Sequence, residues 1–142
     1  MKFAINLPWP DKALSPNARV YWSVKAKAAK NARKDAYFAG MSEGLHKVKT
    51  SAVSITRVYS PPNRKRRDKD NLDASMKAYL DGLSDAMGID DYHFDLEKSV
   101  ISEPVKNGNV CFIIEAKNTF SQDAIEDDGF VTITPMGGKA NA

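Results

Sequence analysis

The stretch Asn71-Leu72-Asp73-Ala74-Ser75-Met76-Lys77-Ala78-Tyr79-Leu80-Asp81-Gly82-Leu83-Ser84-Asp85-Ala86-Met87-Gly88 decides the fold. Leu72, Met76, Tyr79, Leu80, Leu83 and Met87 recur at steps of three and four, the period of one face of an α-helix. Gly88 follows as a natural C′ residue, free to take the left-handed conformation that closes a helix. The pattern predicts one amphipathic helix from Asn71 to Met87, its apolar face turned to a core.

Strand-period sequence lies on both sides of this helix. Residues 52–59 put Val53, Ile55 and Arg57 on one face. Residues 94–102 and 109–116 read as two strands, and Lys106-Asn107-Gly108-Asn109 between them carries the Asn-Gly signal of a hairpin. Val110-Cys111-Phe112-Ile113-Ile114 is nearly all apolar, which predicts a central strand covered on both faces. Further out, residues 2–7 alternate with a strand period and stop at Pro8-Trp9-Pro10. Ser15-Pro16 reads as a helix start, with Ser as cap and Pro first in the helix. The Ala-, Lys- and Arg-rich segment from Ala18 to Leu45 reads as a helix that ends near Gly40 or Gly44. Its apolar positions include Trp22, Ala26, Ala29, Ala36 and Phe38. The order β-α-β-α-β-β predicts a mixed α/β (α+β) fold: a single layered domain with helices on a small mixed sheet, over residues 1–117. Beyond Lys117 the composition turns polar and acidic. Residues 118–142 are expected to form a tail in which only Phe130 to Thr134 could order as a strand.

With 142 residues, 42% of them hydrophobic and 27% charged, the chain fits one globular domain rather than a disordered one. One cysteine, Cys111, excludes an intrachain disulfide and a multi-cysteine zinc site; in its apolar strand it is expected as an inert core thiol. No apolar run nears the ~20 residues of a membrane span, and the first residues lack the apolar stretch of a signal peptide, so a cytoplasmic protein without a membrane partner is expected. The net charge of +3 hides a sharp division. Residues 1–67 hold 15 Lys/Arg against 3 Asp/Glu, and residues 68–142 hold 6 against 15. A basic half suggests a polyanionic partner; an acidic half can solubilise the chain or hold a cation.

The change of sign falls between Arg67 and Asp68. Before it stands Arg64-Lys65-Arg66-Arg67; after it stand Asp68-Lys69-Asp70 and, past the helix, Asp90-Asp91. In an extended segment Asp68 and Asp70 point the same way, and two carboxylates at one point repel unless a cation neutralises them. Hard oxygen ligands suit Mg²⁺ or Mn²⁺. At ~100° per residue, Asp70, Asp73 and Lys77 fall within about 60° of one another on the predicted helix. The local readings differ. Asp70 or Asn71 suits a helix cap, Asp73 a first helical turn, and Asp90-Asp91 an ordinary polar turn. The spacing is not that of an EF-hand, since Asp73 stands where the loop needs Gly and Tyr79 where it needs Glu. Cations abutting candidate metal carboxylates are what phosphodiester hydrolysis requires: a metal to activate water, and Arg or Lys to hold flanking phosphates. A second cationic region comprises Arg19, Lys25, Lys27, Lys30, Arg33 and Lys34, whose other reading is a solvated helix face. His46 and His93 stand alone. Trp9 and Trp22 are expected as packing anchors, with stacking on DNA bases as their other role.

At these residues the sequence resembles the RusA family of Holliday-junction resolvases, small phage-type endonucleases. The resemblance is carried by Arg66-Arg67-Asp68-Lys69-Asp70-Asn71-Leu72, by Lys77-Ala78-Tyr79-Leu80-Asp81-Gly82-Leu83, and by Gly88-Ile89-Asp90-Asp91. Leu7-Pro8-Trp9-Pro10 and Leu14-Ser15-Pro16-Asn17-Ala18-Arg19 also look like the family, so about residues 3–116 are covered. The resemblance implies a homodimer that nicks four-way or otherwise branched DNA symmetrically, in recombination or repair, with Mg²⁺ (Mn²⁺ able to substitute) and no organic cofactor. It implies Asp68, Asp70 and Asp91 as metal-binding acids, with Asp90 adjacent. The family's catalytic lysine lies four residues after the second Asp, where this chain has Ala74; the match is Lys77, three residues further on. Arg64, Lys65, Arg66, Arg67 and Lys69, with Arg19, Lys27 and Lys30, are the expected DNA-binding cations. The competing functions are a flap- or fork-selective nuclease, a catalytically degenerate DNA-binding protein of the same fold, and an Asp-x-Asp glycosyltransferase, although the chain shows no nucleotide-binding segment.

Overall fold

The computed structural model describes residues 1–50, 52–96 and 98–116. The elements are β1 (Lys2–Leu7), α1 (Trp22–Glu43), β2 (Val53–Ser60), α2 (Lys69–Ser75), α3 (Lys77–Met87), β3 (Phe94–Asp95), β4 (Ser99–Ile101) and β5 (Asn109–Ala116), with short 3₁₀ turns at Lys12–Leu14, Leu45–Lys47 and Asp91–His93. The fold is mixed α+β, its helices set against a small mixed sheet. The expected tail at 118–142, its strand at Phe130 to Thr134 and residue 117 lie outside the described residues. No helix among the described residues is long and apolar enough to cross a membrane.

β5 is the centre of the sheet, antiparallel to β1 on one side and to β2 on the other. Ile5 pairs with Phe112, and Ile55 with Ile114. Because side chains alternate across a strand, Ile5, Leu7, Val53, Ile55, Tyr59, Val110, Phe112 and Ile114 all point to one side and are buried. The other side is only half covered at Cys111 and Ile113, so β5 is central but not doubly buried as its apolar run predicts. Burial pushes the Cys111 thiol pKa up, in keeping with an inert thiol.

The remaining neighbours of β2 are β3 and β4, both parallel to it and both on its outer edge. The strand expected at 94–102 is therefore two short pieces. Between them Arg57, only 6% exposed, turns its guanidinium to the Leu96 carbonyl, while its backbone N–H donates to Lys98 O at 3.1 Å. The Asn-Gly turn forms, with Asn107 at φ 67° and Gly108 at φ 74°. It does not make a β4–β5 hairpin, because β2 lies between those strands. The connection wraps the end of β2 instead, Val105 N donating to Pro61 O at 3.0 Å.

α1 begins at Trp22, after Tyr21, and not at Ser15-Pro16; Asp11 caps the 3₁₀ turn that precedes it. It ends at Gly44, one of the two predicted stops, with φ 88°. Its buried stripe is Ala28, Ala32, Ala36 and Gly40, an i, i+4 series of small residues. Trp22 and Phe38 are exposed. The small stripe admits α3 very closely: a Cβ at Gly82 would lie 2.1 Å from the Arg33 carbonyl oxygen and 2.7 Å from Ala36 Cβ.

The predicted helix over residues 71–87 is interrupted at Met76. Met76 N binds Asp73 O, three residues back, at 3.2 Å, and Ser75 Oγ donates to Asn71 O at 2.8 Å. The apolar face survives the interruption: Leu72, Met76, Tyr79, Leu80, Leu83 and Met87 are all buried. Tyr79 meets Phe112 edge-on with ring centres 6.0 Å apart, and its hydroxyl donates to Pro8 O at 2.7 Å, which anchors the segment that carries Trp9.

Candidate functional site

Asp68 is the N-cap of α2; its Oδ1 accepts from Asp70 N at 2.9 Å. The cap is thus one residue type that the local reading anticipated, at a position it did not name. Asp70 already lies in the first helical turn, so the extended alternation expected for Asp68 and Asp70 does not hold. The Asp70 carboxylate is exposed and makes no hydrogen bond or ion pair among the described residues.

Asp73 does not share a face with Lys77 as a continuous helix would have it. It turns inward and accepts from the Tyr59 hydroxyl and from Ser99 Oγ, with Arg57 Nη1 3.5 Å away. Burial and the bond to Asp73 push the Tyr59 phenol well above its ordinary range, so it stays a neutral donor. Asp73 neutralises a buried arginine and is structural.

The basic loop divides into two kinds of cation. Arg67 folds back on its own loop, donating to Asn63 O at 3.1 Å, Lys65 O at 2.8 Å and Asn63 Oδ1 at 3.0 Å, and its guanidinium lies 5.3 Å from the Trp9 ring centre. Arg64 pairs with Glu103 at 2.9 Å. Lys65, Arg66 and Lys69 are exposed, and their side chains have no partner among the described residues. In the second cationic region Arg33 makes a bidentate pair with Asp85, at 2.6 and 2.9 Å, and Lys25 Nζ donates to Ser15 O at 3.3 Å. Arg19, Lys27, Lys30 and Lys34 are exposed and unpaired within the described residues.

Lys77 opens α3. Its ammonium donates to Asp91 Oδ2 at 2.7 Å and to Asp81 Oδ1 at 2.9 Å. These bonds push its pKa up to about 12, and the same ammonium holds the Asp91 carboxyl below its ordinary range. Gly88, at φ 68°, turns the chain back after α3, and Ser84 Oγ donates to Ile89 O, so Asp91 returns to the start of the helix it follows. Asp90 caps the next turn by accepting from Tyr92 N at 3.0 Å. Asp81 belongs to this cluster although it is absent from the predicted site residues. Its signal was the i, i+4 spacing from Lys77 within the same motif.

Two shallow pockets run beside these residues and meet at Ser75. One, of about 230 Å³, is bordered by Trp9, Lys12, Arg67 and Asp68. The other, of about 290 Å³, is bordered by Lys25, Ala74, Lys77 and Asp81. They form a groove between the 9–16 segment, the start of α1 and the α2–α3 junction. Asp68 at the N-cap and Asp70 in the first turn of α2 both carry exposed carboxylates, hard oxygen donors of the kind a small divalent cation takes. Asp91 does not join them, since its Oδ2 is on Lys77, and no group of three His, Cys, Asp or Glu side chains among the described residues is arranged to hold a metal ion. His46 and His93 are exposed and stand apart from the groove.

No family model matches the chain. An uncharacterized protein of Xylella fastidiosa (strain Temecula1 / ATCC 700964) is 40% identical to it over 115 residues, covering 78% of this chain and 74% of that protein. The chain belongs to the family of that protein. The name of the Xylella fastidiosa relative states no activity.

Proposed function

We propose that this chain is a Mg²⁺-dependent, structure-selective endodeoxyribonuclease of the RusA kind, acting as a homodimer that nicks four-way DNA junctions in pairs. One observation carries the reading. Arg67 and Asp68 line one part of a single open groove and Lys77 and Asp81 the other, and Lys77 in turn donates to Asp91 at 2.7 Å. An exposed groove of this composition suits a phosphodiester strand better than a small apolar ligand.

Asp68 and Asp70 are the residues that would hold Mg²⁺, with Asp91 and the adjacent Asp90 completing the set only where Asp91 leaves Lys77; when bound, the ion supplies activated water and charge stabilisation at phosphorus. Lys65, Arg66 and Lys69, the unpaired cations before and at the start of α2, hold phosphates flanking the reacting one. Arg67 orders the loop that presents them. Lys77 aims Asp91 and carries three N–H donors, so one can serve a phosphate oxygen while another keeps the carboxylate. A two-fold dimer supplies the two sites that paired incision of a symmetric junction needs.

Asp70→Asn is expected to abolish Mg²⁺-dependent junction cleavage while leaving junction binding equal or tighter, because a negative charge near phosphate is removed. Full activity of that variant overturns the assignment. Nick mapping on four-way, forked and linear duplex DNA separates the substrates: paired symmetric nicks confined to the four-way junction support the resolvase, and nicks at forks or flaps alone make it a fork-selective nuclease. The bonding of Asp91 to Lys77, with no group of three acids arranged for a metal among the described residues, favours a second reading, a DNA-binding protein of the same fold without cleavage. Junction binding with no nicking in Mg²⁺ or Mn²⁺ is its expected result.

A further inference from the structure

Tyr21 and Trp22 stand at the entry of α1 with 82% and 81% of their surface exposed, flanked by half-exposed Val20 and Val24. Neither ring meets another aromatic ring or a cation among the described residues, so both faces of each are free. Two adjacent large aromatics left in water are costly, since each has a large apolar surface that burial elsewhere would remove from solvent. Exposed apolar clusters of this kind mark contact sites.

The surroundings specify the partner. Residues 12–34 contain seven Lys/Arg and no Asp or Glu. A second copy of the chain would bring the same cations face to face, which disfavours self-association through this patch. An anion whose other surface is flat and aromatic complements both features, and that combination describes a nucleic-acid strand with its bases unpaired. The patch is also continuous with the groove. Lys25 lies three residues, ~4.5 Å of axial rise, beyond Trp22 on α1, and it borders the same pocket as Lys77 and Asp81.

We propose that Tyr21 and Trp22 are a stacking platform for unpaired nucleobases of the DNA strand that enters the groove. The proposal rests on the nucleic-acid part of the function above but not on cleavage. Paired bases inside a duplex cannot reach these rings, whereas bases at a branch point or in a single strand can, so the platform gives the groove a preference for opened DNA.

The test is fluorescence anisotropy of the full chain with a labelled oligo-thymidine 20-mer and with a blunt duplex, in chelator so that no cleavage intervenes. Tyr21→Ala/Trp22→Ala is expected to weaken oligo-thymidine binding by about tenfold or more, from the cost of losing two stacking faces. Duplex binding and the slope of log affinity against log salt should not change, because no cation is removed. Tyr21→Phe/Trp22→Phe keeps the ring faces and should restore most of the affinity, which shows that the loss is not a folding effect. Equal loss on the duplex, or no loss on oligo-thymidine, overturns the proposal. So does a change in mass by light scattering in the alanine variant, which would assign the patch to a second copy, or loss of binding to anionic lipid vesicles with DNA binding intact. Failure of the nuclease reading appears separately, as absence of nicking by a protein that still binds oligo-thymidine through these rings.

Discussion

At the scale of single residues, Asp73 and Asp91 show how one residue type takes two roles. Asp73 is folded under α2 against Arg57, Tyr59 and Ser99, and Arg57 Nε has no partner even so. Removing the carboxylate would leave a buried guanidinium with less still. Asp73→Ala is expected to cost about 3 kcal/mol, read as a lower urea midpoint at unchanged slope. A loss under about 1 kcal/mol would mean that Arg57 finds water instead. Asp91 stays at the surface and holds a lysine. From sequence both were acids at plausible positions on or after a helix, and local spacing could not tell them apart. The difference comes from β2, more than ten residues upstream of either, which presents Arg57 to one of them and nothing to the other.

At the scale of elements, the packing of α1 on α3 depends on what is missing from side chains. The Ala28-Ala32-Ala36-Gly40 stripe and Gly82 let the two backbones approach. Gly82→Ala would press a methyl against the Arg33 carbonyl, which cannot yield without moving the helix. A loss of about 2 kcal/mol is expected, seen as a thermal midpoint several degrees lower. The Arg33–Asp85 pair spans the same two helices, and the guanidinium holds the Asp85 carboxyl below its ordinary value of 3.8. A carboxyl depressed in the folded state adds stability above that value and loses it as pH falls through the folded one. Asp85→Asn should therefore be modestly less stable than the parent at pH 7, and the difference should shrink as the pH is lowered below 3.8; a difference that stayed constant on acidification would place the effect elsewhere than in ionisation. Helix α3 was legible because apolar residues at steps of three and four are many and large. Helix α1 was legible in its presence and its stop at Gly44 but not in its start or its orientation, because alanine carries too little apolar contrast to show which side faces the core. The break at Met76 was not legible, since Asp73 and Ser75 are helix-compatible residues that bend the chain only when their side chains find partners.

At the scale of the whole molecule, the two signs of charge that are divided along the chain meet in one groove, where Lys12, Lys25 and Arg67 stand with Asp68, Lys77 and Asp81. Some of the cations are spent within the fold: Arg57 on Asp73, Arg67 on its own loop, Arg33 on Asp85. Lys65 and Arg66 are not. Replacing both with Ala is expected to weaken binding to every DNA alike and to lower the salt slope by about 1.8, at ~0.9 per phosphate contact; an unchanged slope would take the loop off the DNA. The same accounting separates what each level of description decides. The sequence alone determined the apolar face shared by α2 and α3 from its period, the strands β1, β2 and β5 from their alternating or apolar runs, and the meeting of cations with carboxylates at Arg67 and Asp68, because these are patterns between near neighbours. Only the tertiary structure decided that Lys77 sits between Asp81 and Asp91, that β2 separates β4 from β5, that Asp73 turns inward to Arg57, and that Tyr21 and Trp22 are left in water. Each of those depends on which distant segment arrives alongside, and a side chain takes its partner from space rather than from the order of the chain.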